Sequence, residues 1–228
     1  MPEAADTGFT ARCLMRAARQ ASLATLADGA PFVSLVTPAV SCGGDLLMLI
    51  SSLSRHGRQL CQDGRCAMLL NGAEPEANPQ ATPRLTVTGT AEPVQDPALR
   101  DRWIRIHPYG ASYADFGDFS LWRLRPEQAH LVAGFGRIRS LPGHALRPPH
   151  DVAVEEKSLC EKANGRHAAI LPGPTRIVAI DADGLDLGPC PSPDPNGEMR
   201  TRRIAFMVST ASQDAILKAI AAVFEAGS

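Results

Sequence analysis

The ten residues Ile50-Ser51-Ser52-Leu53-Ser54-Arg55-His56-Gly57-Arg58-Gln59 concentrate more usable chemistry than any other stretch of the chain. An apolar run ends in two hydroxyl residues, and Ser54 stands where a helix N-cap belongs. Two arginines and a histidine fall in the first turns that follow. Cations there do nothing for the helix, whose N-terminus already carries partial positive charge. Together with free backbone N–H groups they suit an anion, and a phosphate is the natural guest. Arg55 and Arg58 lie at i and i+3, on neighbouring positions of one helical face. The alternative for the same residues is a solvated basic surface.

The surrounding elements must position this segment. Residues 10–25 carry Leu14, Ala17, Ala18 and Ala21 at helical spacing, which predicts a first helix. Asp28-Gly29 is a turn signal, 31–36 reads as a strand, Gly43-Gly44-Asp45 as a second turn, and 46–51 as the returning strand. The helix capped by Ser54 runs through Leu60 and ends at Asp63-Gly64, before a strand at 66–70. Residues 71–83 form a polar loop. Residues 84–90 alternate: Leu85 and Val87 face one way, Arg84, Thr86 and Thr88 the other. Such a strand packs on one side and offers its polar side to a ligand, a partner or solvent. A helix through Leu99, Trp103 and Ile106 precedes His107-Pro108. Two strands at 119–124 and 129–133 flank a turn at 125–128.

The expected organisation is α+β, with a first domain over 1–140, a proline-bearing linker over 141–151, and a small α/β domain over 152–228. That second unit has a helix at 154–164, strands at 176–180 and 203–208, an Asp181-Ala182-Asp183-Gly184 turn and a long loop over 188–201. A final helix carries Ile216, Ile220, Val223 and Phe224 as an apolar stripe. The acids at 181, 183 and 186 are read as turn residues, not a calcium loop.

Composition excludes several classes. The 23 basic and 24 acidic residues leave a formal charge of −1, against a general nucleic-acid or anionic-membrane binder. No apolar run approaches a membrane span and no signal peptide is visible, so a cytoplasmic setting is expected. Twenty of the 23 basic residues are arginine; they suit bidentate phosphate or carboxylate contacts, or reflect codon composition. The six cysteines show no C-x-x-C pair and are read as separate thiols. His144 and His150 sit in the linker without paired ligands, and no metal site is expected. Tyr109, Tyr113, Phe116, Phe119 and Trp122 are read as packing or interface residues.

The segment MLISSLSRHGRQLCQDGRCAMLL (48–70) resembles the phosphate-binding strand–helix–strand unit of the pyridoxamine-phosphate-oxidase-like FMN-binding split barrels, without gaps. RLTVTGTAEPV (84–94) is similar to the next strand of that family, and LWRLRPEQ (121–128) to its hairpin. HPYGASYADFGDF (107–119), LVAGFGR (131–137), EKANGRHA and IDADGLDL resemble the subgroup with a C-terminal α/β domain, which includes the HugZ-type haem-degrading proteins. The resemblance covers nearly the whole chain.

It implies a split β-barrel that binds FMN at a homodimer interface. Ser51, Ser54, Arg55 and Arg58 would hold the phosphate and His56 would donate to it or cover the barrel rim, with Arg84 and Arg137 nearer the ring system. The implied function is an FMN-dependent oxidoreductase of unknown substrate. The alternatives are a haem-binding or haem-degrading protein using the same dimer cleft, and a non-catalytic flavin-binding module. Three departures matter. The strand cations that grip the phosphate in the true oxidases are Pro31 and Val36 here, and the usual Lys after Ser-Arg is His56. The C-terminal axial histidine of the haem-degrading members is missing, since the last histidine is His167.

Overall fold

The computed structural model describes residues 7–72, 78–134, 136–149, 156–190 and 201–225. Among the described residues, two antiparallel sheets and five α-helices form the α+β architecture expected.

Helix α1 (Thr7–Ala17) stops earlier than its alanine spacing predicts, because residues 21–25 belong to strand β1 (Ala21–Ala27). Ala21, Leu23 and Thr25 point inward while Ser22 points out, a period of two that pairing on both sides enforces. Asp28 and Gly29, with φ of 51° and 80°, turn the chain into β2 (Ala30–Val36). Two residues at positive φ make the tight hairpin whose twist matches its strands. Strand β2 thus returns along β1. It is β3 (Ala39–Val40) that pairs with β4 (Leu46–Ser51), in place of the hairpin expected between 31–36 and 46–51.

Helix α2 (Arg55–Gln62) leads to β5 (Arg65–Asn71) and β6 (Arg84–Pro93), then α3 (Pro97–Ile106). Strand β7 (Phe119–Val132) is continuous where two strands and a turn were expected. Pro126, which cannot donate to a ladder, sits at a bulge where the register against β6 shifts between Thr88 and Gly89. A Cβ on Gly89 would lie 2.0 Å from the Arg125 carbonyl oxygen, so glycine is required there. Strand β8 (Ile138–Pro142) pairs with β7, and a 3-10 turn (Gly143–Leu146) buries Leu146 in the barrel core. Residues 141–146, the first part of the expected linker, are therefore packed against the barrel; His150 lies outside the described residues.

The sheet order is β2-β1-β5-β6-β7-β4-β3, with β8 on the free edge of β7. It wraps a core that includes Met15, Leu23, Leu46, Met68, Leu85, Leu124 and Leu131. The C-terminal unit stacks α4 (Glu156–His167) and α5 (Gln213–Glu225) on β9 (Thr175–Asp181), β10 (Gly184–Pro189) and β11 (Arg202–Ala205). Most of the expected 188–201 loop falls outside the described residues.

Buried ion pairs join the two units. Arg12 and Arg16 of α1 meet Asp183, Arg16 and Arg102 meet Asp181, and Arg203 bridges Asp181 and Asp186. Arg19 pairs with Asp186, and Arg102 and Arg105 with Glu156. The Asp181–Gly184 turn is present, but its carboxylates are buried anchors, a role the turn reading missed.

Candidate functional site

The local order expected around Ser54 holds. Its backbone is extended, and its hydroxyl accepts from the Gly57 amide at 3.0 Å while donating to the Ser51 carbonyl at 2.7 Å. Ser51 Oγ donates to Asp118 at 2.5 Å and accepts from the Leu53 amide. Both hydroxyls are thus engaged within the protein, and Asp118 brings a carboxylate to the site. The cations are freer. Arg55 is exposed and stacks over the Phe32 ring of β2, 4.2 Å from its centroid. Arg58 is exposed and donates to the Leu53 carbonyl. His56 is half-buried, and burial lowers its pKa. The far side of the helix is pinned by Thr25 Oγ1, which donates to Gln59 Oε1 at 2.6 Å.

Arg84 and Arg137 lie elsewhere. Arg84 opens β6, whereas α2 closes over the other end of that strand, where Ala91 N donates to Gly64 O. The seven residue steps from Arg84 to Ala91 span roughly 23 Å. Arg84 Nη1 donates to the carbonyls of Gln80 and Thr82, and Arg137 Nη2 to that of Ala133. Within one chain the seven expected ligands therefore form two groups, five around α2 and two on the rim where β6, β7 and β8 meet.

A feature invisible in the local sequence lies on the outer face of the barrel. Strand pairing aligns Leu35, Ser22, Leu69, Thr86, His130 and Ser140 in one row, and Val33, Ala24, Ala67, Thr88, Gln128 and Pro142 in the next. One half of this face is apolar, with Leu35 68% and Val33 60% exposed. The other half is polar and carries a hollow of about 540 Å³ bordered by Thr86, Gln128, His130 and Ser140. Its only advance signal was the alternation in 84–90. Among the other aromatics, Trp122 is in the core and Tyr113 packs on Phe119 at 5.0 Å, whereas Phe116 is exposed.

The family described as pyridoxamine 5'-phosphate oxidase matches residues 10–133. A non-canonical heme oxygenase of Arabidopsis thaliana chloroplasts is 32% identical over 110 residues, 47% of this chain and 33% of that protein. The chain thus spans about a third of that relative's length. A protein of unknown function from Agrobacterium tumefaciens (Atu2129) superposes with a TM-score of 0.74 at 24% identity, over 95% of this chain and 94% of that one. A heme binding protein from Mycobacterium smegmatis does so with a TM-score of 0.61 at 24% identity, over 99% and 98%. The two structural likenesses bear on the fold. No helix among the described residues is long and apolar enough to cross a membrane.

Proposed function

The chain belongs to the pyridoxamine 5'-phosphate oxidase family, and from that premise we propose that it is a homodimeric cofactor protein that holds haem between paired sheet faces. The observation that carries this reading is the divided outer face. Its apolar half, with Val33 and Leu35 exposed on the edge strand, is surface that a second copy would remove from water. Its polar half leaves a hollow beside that contact for a planar ligand. The named activity of the Arabidopsis relative supports haem as that ligand. Bound haem would supply a redox-active iron; the chain supplies the pocket, its orientation and its exclusion of water. Oxidation of a B6 vitamer is not favoured, because the strand positions that should carry phosphate-gripping cations are Pro31 and Val36.

The absorption spectrum of the full chain, before and after haemin and FMN are added separately, tests the reading. A sharp Soret band at one haemin per chain supports it. Retention of FMN with no response to haemin overturns it. Pairing is tested by Leu35→Glu, which puts a charge into the apolar half of the face. Sedimentation velocity should show a wild-type dimer and a variant monomer at the same concentration; an unchanged dimer would place the contact elsewhere.

One observation favours a second reading, FMN. Arg55, His56 and Arg58 crowd the capped start of α2, and Arg55 is held in place over Phe32. Each charge-assisted contact to a phosphate contributes about 1.5–3 kcal/mol. An Arg55→Ala/Arg58→Ala variant should then bind FMN at least roughly 100-fold more weakly, read by flavin fluorescence. Wild-type affinity in that variant would remove α2 from the cofactor site.

A further inference from the structure

We propose that His130 is the axial ligand of the haem iron, through Nε2, with Arg84 holding one of the porphyrin's peripheral carboxylates. This rests on the haem reading above and names the residues by which the chain would meet that cofactor. His130 stands exposed on the polar half of the face and borders the hollow. Its Nδ1 lies 3.4 Å from Ser140 Oγ on the neighbouring strand. With Nδ1–H donating to that hydroxyl, the lone pair of Nε2 remains for a metal, the arrangement by which ligating imidazoles are oriented.

The other described histidines fit less well. His107 is buried, and both of its ring nitrogens have partners in the protein. His167 is buried in the C-terminal unit. His56 belongs to α2, and His144 lies in the 3-10 turn after β8.

The neighbours of His130 suit a ring with acidic edges. Arg84 and Thr86 are two residues apart on β6, hence on one face, and Thr86 is the pairing partner of His130. Arg84 therefore sits about 7 Å along the strand from the His130 row. Its Nη1 is anchored on the Gln80 and Thr82 carbonyls, which fixes the guanidinium while its other nitrogens can pair with a carboxylate. Glu127 also borders the hollow, but its carboxylate accepts from Thr90 Oγ1 at 2.9 Å on the next strand.

The test adds haemin to the full-length wild type and to His130→Ala and His130→Gln, read by absorption and by electron paramagnetic resonance of the ferric form. The wild type should give a histidine-ligated spectrum. Both variants should lose that signature and bind haemin at least about tenfold more weakly, and added imidazole should restore the signature in His130→Ala. Arg84→Ala should weaken haemin binding several-fold while leaving the ligation signature in place. Histidine ligation that persists in both His130 variants overturns the assignment and leaves the haem reading standing. A wild type that takes up no haemin overturns both.

Discussion

Replacing Asp181 with alanine should cost about 3–5 kcal/mol of folding stability, the usual consequence of removing one partner from a buried charge cluster. Asp181 is 2% exposed and accepts from Arg16 at 3.0 Å, from Arg102 at 3.1 Å and from both terminal nitrogens of Arg203. These donors come from α1, α3 and β11, so one carboxylate ties two barrel helices to the C-terminal sheet. Its removal leaves three buried guanidiniums short of counter-charge, and the packed surroundings admit little water to replace it. Burial alone would raise the Asp181 pKa, but Arg16, Arg203 and Arg102 outweigh it and hold the carboxyl below the ordinary range. Its contribution is therefore complete above about pH 4 and is lost only as the pH falls through that depressed value. Urea unfolding at neutral pH measures the loss, with the exposed Asp115→Ala, whose partner Arg100 lies outside the cluster, as control. A change under about 1 kcal/mol for Asp181→Ala would mean that the cluster does not hold the units together.

This cluster explains much of the arginine excess. Arg12, Arg16, Arg19, Arg102, Arg105 and Arg203 all enter ion pairs across or near the junction. Guanidiniums suit that place because they stay charged and offer several fixed donors to carboxylates and carbonyls at once. Nothing local in the sequence announces it: Arg12 and Asp183 are 171 positions apart. The Ser54 cap and the start of α2 were legible because capping is decided within four residues. The inward and outward sides of β6 were legible because side chains alternate along any strand. The first helix was overrun because alanine spacing satisfied a helical pattern, while pairing of β1 with both β2 and β5 imposed a period of two. The same limit hid the outer face. Its rows collect positions from 22 to 142 and exist only once every strand has its register, so His130 read in isolation is an unremarkable exposed histidine.

Acidification should destabilise the protein by about 3 kcal/mol between pH 6.5 and pH 4 through His107 alone. This ring is 2% exposed and lies 4.9 Å from the Trp103 ring. Burial pushes its pKa down to about 4; the hydrogen bond to the Pro38 carbonyl opposes that shift without overcoming it. Nε2 donates to Pro38 O at 2.8 Å, which leaves Nδ1 as the acceptor of the Tyr109 hydroxyl at 3.2 Å. The neutral ring satisfies both partners, whereas a second ring proton at Nδ1 would face a hydroxyl that must turn to accept it. In the unfolded chain the imidazole protonates near about pH 6.5. Below that pH the unfolded state gains a proton that the folded state refuses, so stability falls until the pH reaches the folded value of about 4. Above about pH 6.5 the residue contributes no pH dependence. Carboxylates titrate in part of the same range, but they are common to the wild type and to His107→Gln, whose amide can still donate to Pro38 O. The variant should be less stable at pH 8 through lost ring packing, yet its stability should fall less steeply on acidification. The difference between the two curves isolates the histidine, and parallel curves from pH 8 to pH 4 would show that the ring takes up its proton in the folded state as readily as in the unfolded chain.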